Sequence, residues 1–359
     1  MLYRESGQYK TSYIADQAIF PIREDRIGMA VIGVVALAIP FFASDFFLNA
    51  IMTPFLILAL AAIGLNILTG YAGQLSLGSG AFMGVGAYSC YKLTTYFPDV
   101  NIVILVLISG LFSAGIGVIF GLPSLRIKGL YLAVTTLAAQ FFLEWCFIRI
   151  PWLYNYNASG AIEVPVRRGF GDIILTGPSA SAMTQYFVVL GIVVVVTLVV
   201  KNIVRGRIGR QWMMIRDMDI AAELMGVRPL TAKLSAFAVS SYLCGVAGAM
   251  FIFFYLGAAE PSAFSITLSF QILFMVILGG LGSLVGSFFG AAFIWGLPIV
   301  LRAGFPALGL NVGAEVIFHV AQMVVGALII LFLITEPHGL ARLWQIGKEK
   351  LRVWPFPYA

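Results

Sequence analysis

Residues 46–91 read FFLNAIMTPFLILALAAIGLNILTGYAGQLSLGSGAFMGVGAYSCY, with no Asp, Glu, Lys or Arg anywhere in the stretch. A bilayer span takes about 20 predominantly apolar residues, so this stretch holds two spans rather than one. Residues 261–301 are equally free of charge and hold two more. The rest of the chain agrees: 60% of its 359 residues are hydrophobic and only 11% are charged, against about 25% charged in a soluble domain.

Working outward from these runs, ten spans fall at approximately 27–44, 48–69, 76–96, 101–122, 129–149, 184–200, 234–257, 266–281, 284–301 and 316–335. The fold class is all-α: a polytopic membrane protein with about ten transmembrane helices. The chain divides into a tail at 1–26, a transmembrane domain at 27–335 and a second tail at 336–359. Within the domain, polar loops occupy 150–183 and 201–233. Gly64, Gly70, Gly73, Gly78 and Gly80 punctuate the second and third spans. A broken helix or re-entrant start near 70–80 fits them, since irregular backbone survives at membrane depth where protein or a water-filled path covers it.

Lys and Arg set the orientation. The loop at 201–233 holds Lys201, Arg205, Arg207, Arg210, Arg216, Arg228 and Lys233, which makes it cytoplasmic. The final tail holds Arg342, Lys348, Lys350 and Arg352 and falls on the same side. An even number of spans separates the two. Counting back places the N-terminus and the Arg126–Lys128 turn inside and the 150–183 loop outside, where Arg167 and Arg168 are discordant. The first 26 residues carry four basic and four acidic side chains and no secretory signal pattern.

These features exclude several classes. The net charge of +6 comes from basic residues gathered beside apolar runs, which points to anionic head groups and not to nucleic acid. Cys90, Cys146 and Cys244 are scattered in or beside spans, as small apolar packing residues would be. There is no His-Glu-x-x-His pair, Cys-x-x-Cys pair, nucleophile elbow or Gly-x4-Gly-Lys-Ser/Thr loop, so no catalytic or metal residue is assigned. Charge within spans is scarce, and Glu144, Arg149, Glu315 and His319 are its candidates for a function. These are either interfacial anchors or path-lining groups, and His319 lies one turn from Glu315. In the 150–183 loop, Trp152, Tyr154 and Tyr156 form either an interfacial belt or a docking surface. Gly80-Ala-Phe-Met-Gly84 and Gly286-Ser-Phe-Phe-Gly290 share a small-x-x-x-small pattern. It marks either corresponding helices of two half-repeats or close helix packing.

The segment from Gly209 to Gly226 is a polar island between two charge-free runs. At about 100° per residue, Met214, Met218, Ala221, Ala222 and Met225 share one face, and Arg216, Asp219 and Glu223 the opposite one. Asp217 or Asp219 suits an N-cap, and Gly226 a C-terminal stop. One or two short amphipathic helices are expected. Three acidic residues argue against simple adsorption to lipid, and a methionine-rich face suits an adaptable protein groove.

Three stretches carry a resemblance. They are Gly209-Arg210…Ile215-Arg216-Asp217…Ala221-Ala222…Gly226 with Lys233-Leu234-Ser-Ala-Phe237 and Gly245-x-x-Gly248; Gly64-Leu-Asn-Ile-Leu-Thr-Gly70-Tyr-Ala-Gly73-Gln74-Leu-Ser-Leu-Gly78; and Ile277-Leu-Gly-Gly-Leu-Gly-Ser283-Leu-Val-Gly286. In their order along the chain, over roughly residues 45–335, they resemble branched-chain amino acid ABC transporter permeases, and within them the Liv-type M subunit. The resemblance implies a bacterial inner-membrane permease of an ATP-driven importer working by alternating access. It implies a homologous second permease, two cytoplasmic ATP-binding subunits and a periplasmic solute-binding protein as partners. ATP and Mg are then used by those partners, with no cofactor on this chain.

The island becomes the segment that couples to the ATPase, through Gly209, Arg210, Met214, Arg216, Asp217, Met218, Asp219, Ala221, Ala222, Glu223 and Gly226. Arg216, Asp217 and Glu223 are expected to make the polar contacts, and Met214 and Met218 to fill the groove. The glycine-rich segments lie around the translocation path, with Asn66, Gly70, Gln74, Ser76, Gly78, Gln271, Gly279, Gly280, Glu315 and His319 as its candidates. The outer loop departs from the glycine-rich pattern common in such subunits, reading Tyr156-Asn157-Ala158-Ser159-Gly160-Ala161. The cargo is therefore branched-chain amino acids or a related small polar solute. A secondary carrier driven by an ion gradient is the alternative, and the lack of mid-span carboxylates counts against it. An integral membrane enzyme would need a catalytic cluster that the chain lacks.

Overall fold

The computed structural model describes residues 11–12, 23–124, 131–157, 160–169, 174–177, 179–307, 313–335 and 339–353. Most of the first tail, the Arg126–Lys128 turn, Ala158, Ser159 and His338 lie outside the described residues. The elements in chain order are α1 Arg23–Phe42, α2 Asp45–Tyr71, α3 Ser79–Tyr96, α4 Ile102–Ser124, α5 Tyr131–Arg149 and α6 Ala182–Arg205. Two short helices follow, α7 Arg207–Asp217 and α8 Asp219–Leu224. Then come α9 Pro229–Leu256, α10 Ile266–Gly279, α11 Leu284–Ala307, α12 Ala314–Thr335 and α13 Gly339–Val353. Four strands of two or three residues pair in the loop after α5 and beside Ala258–Ala259.

Each of the ten apolar segments is helical, and the protein is an all-α, multi-pass membrane protein. Among the described residues, eight helices are long and apolar enough to cross a bilayer. The other two fall short for separate reasons. In α1 the apolar part, Ile27–Phe42, is shorter. In α3 the second half carries Lys92, Thr94 and Thr95, yet every residue from Ser79 to Tyr88 is buried. A helix enclosed by others needs no lipid-facing apolar stripe.

The core sits on α2 and α9, each 83% buried along its most apolar window, whereas α12 is 18% buried at the rim. Lipid is as apolar as leucine, so close packing has to supply the attraction between helices. Small residues permit it. A Cβ on Gly86 would lie 2.0 Å from the carbonyl oxygen of Gly245, and one on Gly248 would lie 1.9 Å from that of Met83, so α3 and α9 touch backbone to backbone. The same happens between α10 and α11 at Gly279, Gly286 and Gly290.

The described connections fall at two ends of the bundle. At one end Arg216 reaches Gly70, and Gly339 abuts Leu278 and Gly280. At the other, Ile162–Glu163 pairs with Ala258–Ala259, and Arg167 donates to the carbonyls of Thr94 and Pro98. Those carbonyls lie at and just beyond the C-terminal end of α3, where a helix end attracts a cation. The sequence rule that counts Arg167 as misplaced sees its charge but not this local use for it.

The element order recurs with reversed direction. A buried helix ends in a widened turn at Ile67–Tyr71 in α2 and at Ile252–Leu256 in α9. An interruption follows each, then two helices that pack on one another: α3 and α4, then α10 and α11. The helix bearing Gly80 and Gly84 therefore corresponds in order to α10, not to the helix bearing Gly286 and Gly290. Both glycine pairs serve close approach: Gly80 and Gly84 meet Phe264, Ser269 and Phe147, while Gly286 and Gly290 meet Gly279 and Met275.

Candidate functional site: a junction beneath the polar island

The polar island forms two helices that change direction at Met218, whose φ of −155° and ψ of 100° are extended. This break resets the helical phase and splits the expected methionine face. Met214 is half-buried against the core and Ala222 is buried, whereas Met218 and Met225 are exposed. Gly209 is buried against the backbone of Val204, and Asp219 and Ala221 are half-buried. Arg210, Arg216, Asp217, Glu223 and Gly226 are exposed.

Neither Asp217 nor Asp219 stands at the N-cap position expected of it. Met218 occupies the N-cap of α8 without a side-chain bond, and Asp217 ends α7. Gly226 does stop the segment, at φ +85°, with Val227 N–H returning to the carbonyl of Ala222 at 3.0 Å. The anchor is a residue that the pattern did not single out. Trp212 is fully buried and donates from Nε1 to Ser235 Oγ of α9 at 2.9 Å.

Two interruptions meet under these helices. Asn66, fully buried in α2, accepts from Gly282 N–H at 2.8 Å through Oδ1. Its Nδ2 donates to the Ser283 carbonyl at 2.8 Å and to Ser287 Oγ at 2.9 Å. Gly70 and Gly282 are in backbone contact: a Cβ on Gly70 would stand 2.2 Å from Gly282 nitrogen. Arg216 closes the cluster, donating from Nη1 to the Gly70 carbonyl at 2.8 Å and from Nε to Asp217 Oδ1 at 2.9 Å. Its stem crosses Gly73, where φ is +67° and a Cβ would meet Arg216 Cγ at 2.8 Å. Asn66, Gly70 and Gly280 thus meet at this junction, while Gly279 packs against Gly286 and Gly290.

A second polar set surrounds the start of α3. Gln140 accepts from Ala81 N–H at 2.7 Å and from Ser269 Oγ at 2.9 Å, and donates to the Phe264 carbonyl at 2.7 Å. Ser269 Oγ accepts from Gly80 N–H at 2.8 Å, and Thr136 Oγ1 from Leu77 N–H at 3.0 Å. Side chains of α5 and α10 therefore satisfy donors that the first turn of a helix leaves unpaired. Gln74, Ser76 and Gly78 are buried beside this set. Both amide atoms of Gln74 and the hydroxyl of Ser79 are buried without a hydrogen-bond partner.

The remaining candidates lie elsewhere: Gln271 is half-buried in α10, and Glu315 and His319 are exposed on α12. Sequence reasoning missed Thr136, Gln140, Ser269 and Ser287. The available signal was a lone glutamine or hydroxyl in an apolar span, which is costly there unless it is paired.

The close-packed helices and the junction between two interrupted spans define a polytopic membrane protein. A family model described as the branched-chain amino acid transport system permease component matches residues 47–333, and the chain belongs to that family. It is similar to the high-affinity branched-chain amino acid transport system permease protein LivM of Salmonella typhimurium, at 30% identity over 86% of this chain and 72% of that protein. It is also similar to LivM of Escherichia coli K12, at 29% identity over 88% of this chain and 75% of that protein. No solved structure matches it.

Proposed function

We propose that this chain is the permease subunit of an ATP-binding-cassette importer in a bacterial inner membrane, moving branched-chain amino acids or a related small polar solute. The observation that carries the reading is the exposed crest of α7 and α8, where Met218, Ile220, Leu224 and Met225 stand out from the fold on a helix pair anchored beneath by buried Trp212. An exposed apolar ridge with Glu223 among it is suited to a protein groove. The partner is an ATP-hydrolysing subunit that supplies ATP and Mg, and closure of two such subunits drives alternating access. A homologous permease and a solute-binding protein at the Arg167 end complete the complex. The relatives' names supply the cargo class.

The test is purification of the chain from its native membrane, identification of the co-purifying subunits, and labelled-leucine uptake into proteoliposomes. ATP-dependent uptake that persists with proton and sodium gradients collapsed is expected. Uptake that follows either gradient and ignores ATP would establish a secondary carrier instead.

A further inference from the structure

We infer that Arg216 transmits motion of the α7–α8 pair to the translocation pathway, by holding the Gly70 carbonyl where the two interrupted helices meet. The inference rests on the reading of α7–α8 as the ATPase-facing segment. It goes beyond that reading by giving Arg216 an inward task, whereas the sequence suggested contact with the partner.

Three observations carry it. First, the guanidinium is divided between two environments. Its Nε is bonded to Asp217, which is 65% exposed on the α7 surface, and its Nη1 to a backbone carbonyl in the membrane domain. Second, the space is shaped for this side chain. A side chain at Gly73 would collide with the Arg216 stem, and one at Gly282 would come within 3.5 Å of Nη1. Third, the bonded carbonyl belongs to the residue in contact with Gly282, and Asn66 ties Gly282 to α2. A displacement of α7 acts on Gly70, and through that contact on the turn between α10 and α11. Arginine suits the task because one rigid fork donates in two directions at once, which an ammonium does less well. The α2 segment at Gly70 is a widened turn, a form of helix that often marks functional positions.

The experiment uses the intact complex reconstituted with its solute-binding protein, with Arg216→Ala and Arg216→Met compared against wild type. The methionine keeps the stem over Gly73 and removes every donor. The expected result is that the ATPase subunits still co-purify and hydrolysis stays within roughly twofold of wild type, while labelled-leucine uptake falls by about tenfold or more. Uptake within roughly twofold of wild type in the assembled methionine variant overturns the inference. So does loss of the ATPase subunits from both variants, which makes Arg216 a docking residue, and so does failure of the methionine variant to accumulate, which makes it a folding residue. Failure of the wild-type complex to contain ATPase subunits is a different result and removes the functional reading itself.

Discussion

Asn66 and Gly282 are separated by 216 residues and joined by a 2.8 Å hydrogen bond from the glycine N–H to the asparagine oxygen. The same side chain donates to Ser283 and Ser287, so one buried amide joins α2 to the start of α11. Asn66→Ala leaves the Gly282 N–H without a partner, while the Ser283 carbonyl keeps its bond from Ser287 N–H. One orphaned buried donor and the loss of the ties between α2 and α11 cost about 1–3 kcal/mol. The detergent-solubilised variant is expected to unfold several degrees below wild type, read by thermal unfolding. An unchanged midpoint would show that the amide is dispensable for stability.

Gln140 offers a second case at the other polar set. Gln140→Leu fills nearly the same volume but abandons Ala81 N–H, Ser269 Oγ and the Phe264 carbonyl. A loss of about 2–3 kcal/mol is expected, measured as a shift in the denaturation midpoint.

Close backbone approach makes a sharper contrast. Gly248→Leu places a side chain against Met83 backbone, where even a Cβ would sit at 1.9 Å. Neither helix has a flexible atom to move aside, so the variant should fail to accumulate in the membrane. Gly191→Ala, with nothing within 4 Å of its Cβ position, should accumulate like wild type. Quantitative blotting of membrane fractions distinguishes the two.

The exposed crest predicts an assembly defect without a folding defect. Leu224 is 86% exposed, so Leu224→Asp costs the isolated fold little. Under the proposed function it removes apolar contact area and places a charge at a protein groove. The permease should accumulate normally and lose its co-purifying ATPase subunits, read by affinity purification and mass spectrometry. Full retention of those subunits would move the docking surface elsewhere.

Arg167 tests the opposite end. Its guanidinium ties the loop after α5 to the end of α3 through the carbonyls of Thr94 and Pro98. Arg167→Ala should free that loop, and limited proteolysis of reconstituted protein should cut within 150–181 faster than in wild type. Arg167→Lys should restore only part of the protection, since an ammonium lacks the planar fork.

The legible features were local ones. Long apolar runs with little charge gave the spans because the transfer of apolar surface from water is a property of residues in a window. Gly226 was legible as a helix stop because few other residues adopt its φ of +85° cheaply. The irregular start near 70–80 was legible from its glycines and is present as the non-helical stretch between Tyr71 and Ser79. The methionine face was misread because a helical wheel assumes one continuous phase, and the extended backbone at Met218 breaks it. Which helices are central was not legible either, since α2 and α12 are comparably apolar and only their neighbours differ.

By itself, then, the sequence determined that the chain spans a membrane repeatedly, where each span lies, and that a polar segment stands between α6 and α9. Tertiary structure decided that Arg216 turns toward Gly70, that Asn66 holds Gly282, and that Gln140 covers the start of α3. The physical reason is range. Hydrophobic burial and turn preference act through near neighbours in the chain, whereas a hydrogen bond such as Arg216 to Gly70 joins groups 146 residues apart and exists only once the helices between them have packed.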